Sequence, residues 1–223
     1  MVNYREGVAG AANIGYVHEE SIMVSEIRRS RIGYRAVKRA FDIAASFTAL
    51  LLLAVPMLII AAVIAIDSPG KPVFSQNRVG RGGKLFRIYK FRTMVTTAPN
   101  EMPTCMLDQP YSYITRVGEF LRKTSLDELP QLFNVLRGDM SIVGPRPLIA
   151  VESEIHDLRK KQGVYDVRPG VTGWAQVNGR DNLTTEEKVR YDAEYVEKRS
   201  IAFDIKVLWQ TVAVVLKKEA PPS

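Results

Sequence analysis

The apolar and polar positions divide this chain unevenly. Residues 1–27 are small, polar and acidic with weak periodicity, and they predict a loose N-terminal extension. Ala44–Ile66 then runs 23 residues without a charge, long enough to cross a bilayer. Beyond it the pattern breaks into short elements. Leu85–Met94 alternates as a strand does, with Lys90 and Arg92 on one face. Ile114–Lys123 sets Ile114, Val117, Phe120 and Leu121 at helical spacing. Leu148–Gln162, Leu183–Arg199 and Phe203–Leu216 read as amphipathic helices, the second opening on Thr184 and Thr185 as caps. Thr96–Tyr113 has three prolines and no period, which predicts a loop or lid.

Two features of the long apolar run favour a helix that dips into one leaflet and returns, over a single span or a buried soluble helix. Both flanks are basic: Arg28 to Arg39 before it, and Lys71, Arg78, Arg81, Lys84, Arg87, Lys90 and Arg92 after it, so the positive-inside rule holds both on one side. Pro56 sits at its middle, where it removes a helical hydrogen bond and clashes with the preceding turn. Each half of ~11 residues would be ~17 Å long, about one leaflet. The basic, aromatic-bearing stretch before the run, with Lys38 and Arg39, reads as an interfacial anchor; a solvated helix face is the alternative.

Composition narrows the chemistry. The chain of 223 residues is 46% hydrophobic and 25% charged, a globular balance. One cysteine, Cys105, and two separated histidines, His18 and His156, build no zinc site, so any metal is a hard ion held by oxygen. The net charge is +7, but residues 28–99 alone hold thirteen basic and two acidic side chains. That concentration beside an apolar run fits an anionic membrane surface better than a nucleic acid.

The densest chemistry lies in Ser125–Pro147, S-L-D-E-L-P-Q-L-F-N-V-L-R-G-D-M-S-I-V-G-P-R-P. Ser125 and Glu128 have capping-box spacing, which would make Glu128 a helix cap. Pro130 disturbs that reading, because a helix starting at Ser125 would lose an internal bond there. If the helix starts later, Asp127 and Glu128 are free for chemistry. An aspartate can attack phosphorus, provided metal or basic groups offset the like charge of a phosphate. Arg122 and Arg146 supply such groups, the second stiffened between Pro145 and Pro147. Lys90 and Arg92 form either an anion clamp or the wet face of an edge strand. Asp139 is a turn cap or a further metal group.

Long motifs in one order resemble the bacterial sugar transferases, the small monotopic polyprenyl-phosphate hexose-1-phosphate transferases, also called phosphoglycosyl transferases. They are K-R-A-F-D at 38–42, Y-K-F-R-T-M at 89–94, L-R-K-T-S-L-D-E-L-P-Q-L at 121–132, G-D-M-S-I-V-G-P-R-P at 138–147 and R-P-G-V-T-G-W-A-Q-V at 168–177. The resemblance covers roughly Val37–Lys217. It implies transfer of a sugar-1-phosphate from a UDP-sugar to undecaprenyl phosphate with release of UMP, by a ping-pong mechanism needing Mg²⁺. It makes Asp127 the covalent nucleophile and Glu128 its neighbour in metal binding. Arg122 and Arg146 become phosphate or nucleotide contacts, and Arg168, Thr172 and Gln176 part of the nucleotide site, where a plain glycine turn is the alternative. The family's membrane segment is re-entrant and breaks at Ser-Pro, whereas this chain has Val55-Pro56.

The expected fold is therefore α+β and helix-rich: a re-entrant membrane helix–break–helix on a small mixed catalytic domain with interfacial amphipathic helices. The expected divisions are residues 1–35, an extension; 36–67, the membrane hairpin; and 68–223, a cytoplasmic catalytic domain on the bacterial inner membrane. Expected partners are a UDP-sugar, undecaprenyl phosphate and membrane lipid, with a homodimer open and no nucleic acid. A membrane-surface adaptor would explain the basic belt but not Asp-Glu or Pro-Arg-Pro, and a lipid phosphatase would use the same aspartate with water as acceptor. His156, with no acid–base partner nearby in sequence, reads as a surface residue. Phe203–Leu216 lies at the interface or packs on the core. No residue names the sugar.

Overall fold

The computed structural model describes residues 7–99, 110–179 and 182–216. They fall into two compact units, Met1–Ala40 and Phe41–Ser223. Helix α1 runs Gly7–Asp67 with Pro56 inside. Residues 7–27 are thus helical rather than loose. Ala, Glu and Met favour helix, and extending an existing helix avoids the cost of a new nucleus. The helix assignment also continues through Pro56, so the expected break is not seen as an interruption. In the first unit, the Lys38 ammonium lies 6.0 Å from the centre of the Tyr34 ring, and Lys38 and Arg39 are half-buried.

In the second unit, α1 from residue 41 onward carries Phe47, Leu51, Leu52, Val55 and Leu58 exposed. Gly33–Asp67 is long and apolar enough to cross a membrane, and 11% of its most apolar window is buried. Buried or half-buried positions still recur at helical spacing: Asp42, Ser46, Leu53, Met57, Ile60 and Ile64. The two ends of that stripe are tied to the domain. Asp42, 1% exposed, accepts from Ser141 Oγ and the Ile142 amide, both at 3.1 Å. Ile64 joins Phe91 and Leu121 in a core cluster, with Met57, Ile60 and Ala61 packed against it.

Strands β1 (Val73–Val79) and β2 (Leu85–Phe91) form an antiparallel hairpin, with Val73 opposite Phe91 and Val79 opposite Leu85. Helices α2 (Arg116–Thr124) and α3 (Gln131–Arg137) follow. Strand β3 (Ser141–Val143) pairs in parallel with β4 (Gly170–Thr172). Helices α4 (Ser153–Lys161), α5 (Trp174–Val177), α6 (Thr185–Lys198) and α7 (Ile201–Leu216) complete the domain. Residues 148–152, expected to open a helix, precede α4 instead because Pro147 and the bonds described below hold them. The expected lid over Thr96–Tyr113 lies largely outside the described residues.

Thr184 and Glu187 form a full capping box at α6, as that sequence predicts. Tyr195 Oη on α6 lies 3.0 Å from the Val143 carbonyl and 2.8 Å from Asp204 on α7, with one proton between the two acceptors, in a cluster with Val143, Trp174 and Val207. Helix α7 packs on the core through Val207, which is fully buried, while Ile205 and Trp209 are exposed by 60% and 77%.

Candidate active site

Asp127 and Glu128 sit in a one-turn 3-10 helix, Leu126–Glu128, between α2 and α3. Ser125 enters it at φ 58°, in the left-handed region, and its side chain makes no cap. The contact is through the backbone, the Glu128 amide donating to the Ser125 carbonyl at 3.2 Å. Pro130 stands at the N-cap of α3, where its missing N–H costs no bond. The proline thus separates a short turn from a helix, and the capping box does not form. Leu126 and Leu129 pack into the Ile64–Phe91–Leu121 cluster, so the turn is nailed down by its leucines and the carboxyls are left to the other side.

Glu128 Oε1 accepts from Lys90 Nζ at 2.9 Å and from Arg146 Nη1 at 3.3 Å. Asn134 fixes the backbone of β2 just before Lys90. Fully buried on α3, its side-chain amide donates to the Arg87 carbonyl at 2.7 Å and accepts from the Tyr89 amide at 3.0 Å, as a neighbouring strand would. Arg122 Nε donates to Thr93 Oγ1 at 2.8 Å. Gly118, one turn earlier, presses on the Thr93 backbone so closely that a Cβ would overlap its carbonyl. Lys90, Arg122 and Arg146 all face Asp127 electrostatically, yet burial outweighs them and pushes its carboxyl above the ordinary range. Burial also pushes the Lys90 ammonium down, against the pull of Glu128.

Arg146 is set by its backbone. Arg159, 3% exposed, donates from Nη1 to the Arg146 carbonyl at 2.8 Å and from Nη2 to Asp192 at 2.5 Å. Arg78 Nη1 donates to the Pro147 carbonyl at 3.3 Å, and the Val79 amide to the Leu148 carbonyl at 2.9 Å. His156 Nε2 lies 2.7 Å from the Ile149 carbonyl and its Nδ1 bonds Tyr165. It is half-buried and partnered, in contrast to the surface residue expected. Gly144 abuts the backbone of Arg168 and Gly170, and the Gly144 amide donates to the Thr172 carbonyl at 2.9 Å. Gly144 and Gly170 therefore let two backbone segments touch.

The other expected site residues bond backbone carbonyls or a hydroxyl. Arg92, 7% exposed, donates from Nη2 to the Ser68 carbonyl at 2.7 Å and to that of Ile64 at 3.4 Å, and from Nη1 to that of Pro69. It neutralises the carbonyl end of α1, a natural place for a cation, and does not form a clamp with Lys90. Strand β2 ends at Phe91, so the alternation that paired the two no longer applies. Arg168 Nε donates to the Gly138 carbonyl at 2.8 Å, just past α3. Thr172 is buried and shares a 2.8 Å bond with Thr211 on α7. Gln176 donates to the Val171 carbonyl at 2.9 Å. Asp139 lies 3.4 Å from Asn134 Nδ2 and 3.9 Å from Arg137.

The family model for bacterial sugar transferases matches residues 33–218. The chain belongs to the bacterial sugar transferase family. Among similar proteins of known name, a UDP-glucose:undecaprenyl-phosphate glucose-1-phosphate transferase of Escherichia coli is 43% identical over 185 residues, 80% of this chain and 40% of its own. An undecaprenyl-phosphate galactose phosphotransferase of Salmonella typhimurium is 36% identical, covering 92% of this chain and 45% of its own. A UDP-N-acetylgalactosamine-undecaprenyl-phosphate N-acetylgalactosaminephosphotransferase of Aeromonas hydrophila is 37% identical, covering 95% and 50%. The chain spans about half the length of these sugar transferases, and their names carry three different sugars.

Four residues were not singled out from the sequence: Asp42, Arg78, Asn134 and Arg159. All hold backbone groups distant in sequence. The one signal was composition: Asp42 is a charge at the edge of an apolar run, and Asn134 a polar residue among apolar ones.

Proposed function

We propose that this protein is a phosphoglycosyl transferase, moving a sugar-1-phosphate from a UDP-sugar to undecaprenyl phosphate. The observation that carries the reading is a half-buried aspartate on a fixed turn, faced by Lys90, Arg122 and Arg146. A carboxylate Oδ of Asp127 attacks the β-phosphorus, the bond to the bridging oxygen breaks, and UMP leaves with those electrons. A phosphate oxygen of undecaprenyl phosphate then attacks the same phosphorus, freeing the Asp127 carboxylate and giving the lipid diphosphate sugar. Glu128 keeps Lys90 and Arg146 together where the phosphates arrive. Names of relatives support the substrates.

For Mg²⁺ the donor set fits in part. No group of three metal-ligating side chains occurs among the described residues. Two adjacent carboxylates, Asp127 and Glu128, suit an ion that takes its remaining ligands from substrate phosphates and water. When bound, such an ion would offset the charge of the diphosphate.

The apolar surface of α1 supports a site working at a bilayer, and the basic charge of its flanks supports the cytoplasmic face. A re-entrant course is supported by the ties at its ends. Asp42 and Ile64 would be ~33 Å apart in a straight helix, yet both join one small domain, and Leu51, Leu52 and Val55 between them are exposed. The exposed Ile205–Trp209 side of α7 suits the same interface.

The test incubates the detergent-solubilised chain with a panel of UDP-sugars and Mg²⁺, with and without undecaprenyl phosphate, and measures UMP. No UMP from any donor refutes the reading. A hexose-phosphate mass on Asp127 supports the intermediate, and UMP release that survives Asp127→Asn moves the nucleophile elsewhere. For topology, single cysteines introduced at positions 30 and 75, with Cys105 replaced, should label from the same side; opposite sides would mean a span.

A further inference from the structure

Arg78 lies one residue before the end of β1, opposite Phe86 in the hairpin. Its guanidinium meets the Pro-Arg-Pro loop through the 3.3 Å bond to the Pro147 carbonyl. Its Nε is buried with no acceptor among the described residues. The charges that face it are Arg146, Glu152 and Glu128, and none of the three is hydrogen-bonded to it in the structure described. An arginine has five donors in a planar fork, shaped for phosphate or carboxylate oxygens. Holding a carbonyl at 3.3 Å needs one donor and no charge. Leaving a buried donor unmade costs about 1–3 kcal/mol, and bringing the guanidinium beside Arg146 adds repulsion. Burial and that neighbour push Arg78 down to about 10, still charged at neutral pH.

The charge of the cluster points the same way. Arg78, Lys90, Arg122 and Arg146 face Asp127, Glu128 and Glu152, four cations to three carboxylates. The excess is positive, which favours an anionic ligand such as a diphosphate diester.

We propose that Arg78 is a further substrate-binding residue, donating with Arg146 to phosphate oxygens of the diphosphate donor. The assignment rests on the reaction read above, and its test separates the two. Arg78→Gln keeps a donor for the Pro147 carbonyl but loses the charge and the fork; Arg78→Lys keeps the charge. Affinity for inorganic pyrophosphate is measured by titration on the full solubilised chain, with KM for the UDP-sugar and for undecaprenyl phosphate read separately. Thermal unfolding is followed on each variant. Arg78→Gln should weaken pyrophosphate binding and raise the donor KM at least tenfold each, and leave the KM for undecaprenyl phosphate within twofold. Arg78→Lys should lose less than Arg78→Gln in both. A Gln variant that binds pyrophosphate as the wild type does overturns the proposal, as does a wild type that binds none. Should Gln unfold the protein, Lys decides: equal loss of melting temperature and pyrophosphate affinity to Gln overturns the proposal, and retained affinity supports it. A wild type that binds pyrophosphate but releases no UMP refutes the reaction while leaving the Arg78 comparison intact.

Discussion

Arg159 Nη1 donates to the main-chain carbonyl of Arg146 at 2.8 Å while Nη2 is paired with buried Asp192. A buried ion pair between α4 and α6 thus fixes the backbone of an arginine whose guanidinium reaches Glu128. Burial pushes the Asp192 carboxyl up, against the pull of Arg159, so the pair is held at a desolvation cost. Replacing both partners with apolar residues, Arg159→Met with Asp192→Leu, should leave stability within about 2 kcal/mol, whereas Arg159→Met alone should lose about 3–5 kcal/mol. UMP release by the double variant should still fall about tenfold, from loss of a single positioning bond. In an Arg146→Ala background the double change should have no further effect on rate. Additive losses would show that Arg159 acts on something other than Arg146.

The proposed mechanism needs Asp127 as a carboxylate, and burial raises its pKa. The acid limb of UMP release should therefore lie above the range of an ordinary aspartate. The sign for stability is opposite to that of a salt-bridged acid: the folded state favours the protonated form, so stability is lost as pH rises through the folded pKa. Asp127→Asn should reduce UMP release by at least about 10³-fold and raise the melting temperature near pH 8, with the gain vanishing at pH 4. Matched pH series of melting curves and initial rates check both.

Lys90 and Arg92 share one motif but have separate duties. Arg92→Leu should cost about 2 kcal/mol of stability, from lost charged hydrogen bonds at the end of α1, and leave the donor KM within twofold. Lys90→Met should do the reverse, raising the donor KM about tenfold or more through loss of a charged contact, at little cost in stability. Denaturant titrations and steady-state kinetics on the two variants separate these outcomes.

Ser125 is the one non-glycine residue with positive φ among those described. Since its side chain caps nothing, Ser125→Ala should change stability by less than about 0.5 kcal/mol beyond backbone strain. Ser125→Gly should stabilise by about 1 kcal/mol by relieving the left-handed conformation. A functioning capping box would instead make both substitutions destabilising.

Legibility differed with the range of the forces. The start of α6 at Thr184 was readable because a cap and the amide it satisfies are three residues apart. Lys90 and Arg146 were chosen from type and motif, and they meet at Glu128. Arg92, from the same alternation as Lys90, lies past the strand end, where alternation carries no information. The spacing of Ser125 and Glu128 matched a cap, and only the left-handed Ser125 and the position of Pro130 decided against it.

By itself, then, the sequence determined what depends on composition, local period and ordered motifs: a long apolar helix between basic flanks, a helix-rich mixed domain, the family, and an acidic pair near arginines. Only the tertiary structure decided which arginines serve the pair and which serve the backbone. Orphan carbonyls at helix ends and loop turns compete with carboxylates for the same guanidinium donors. Arg92 goes to the end of α1, Arg159 to the carbonyl of Arg146, and Arg146 to Glu128. Nothing local to those residues distinguishes them; the packing of distant elements sets which acceptor each one meets.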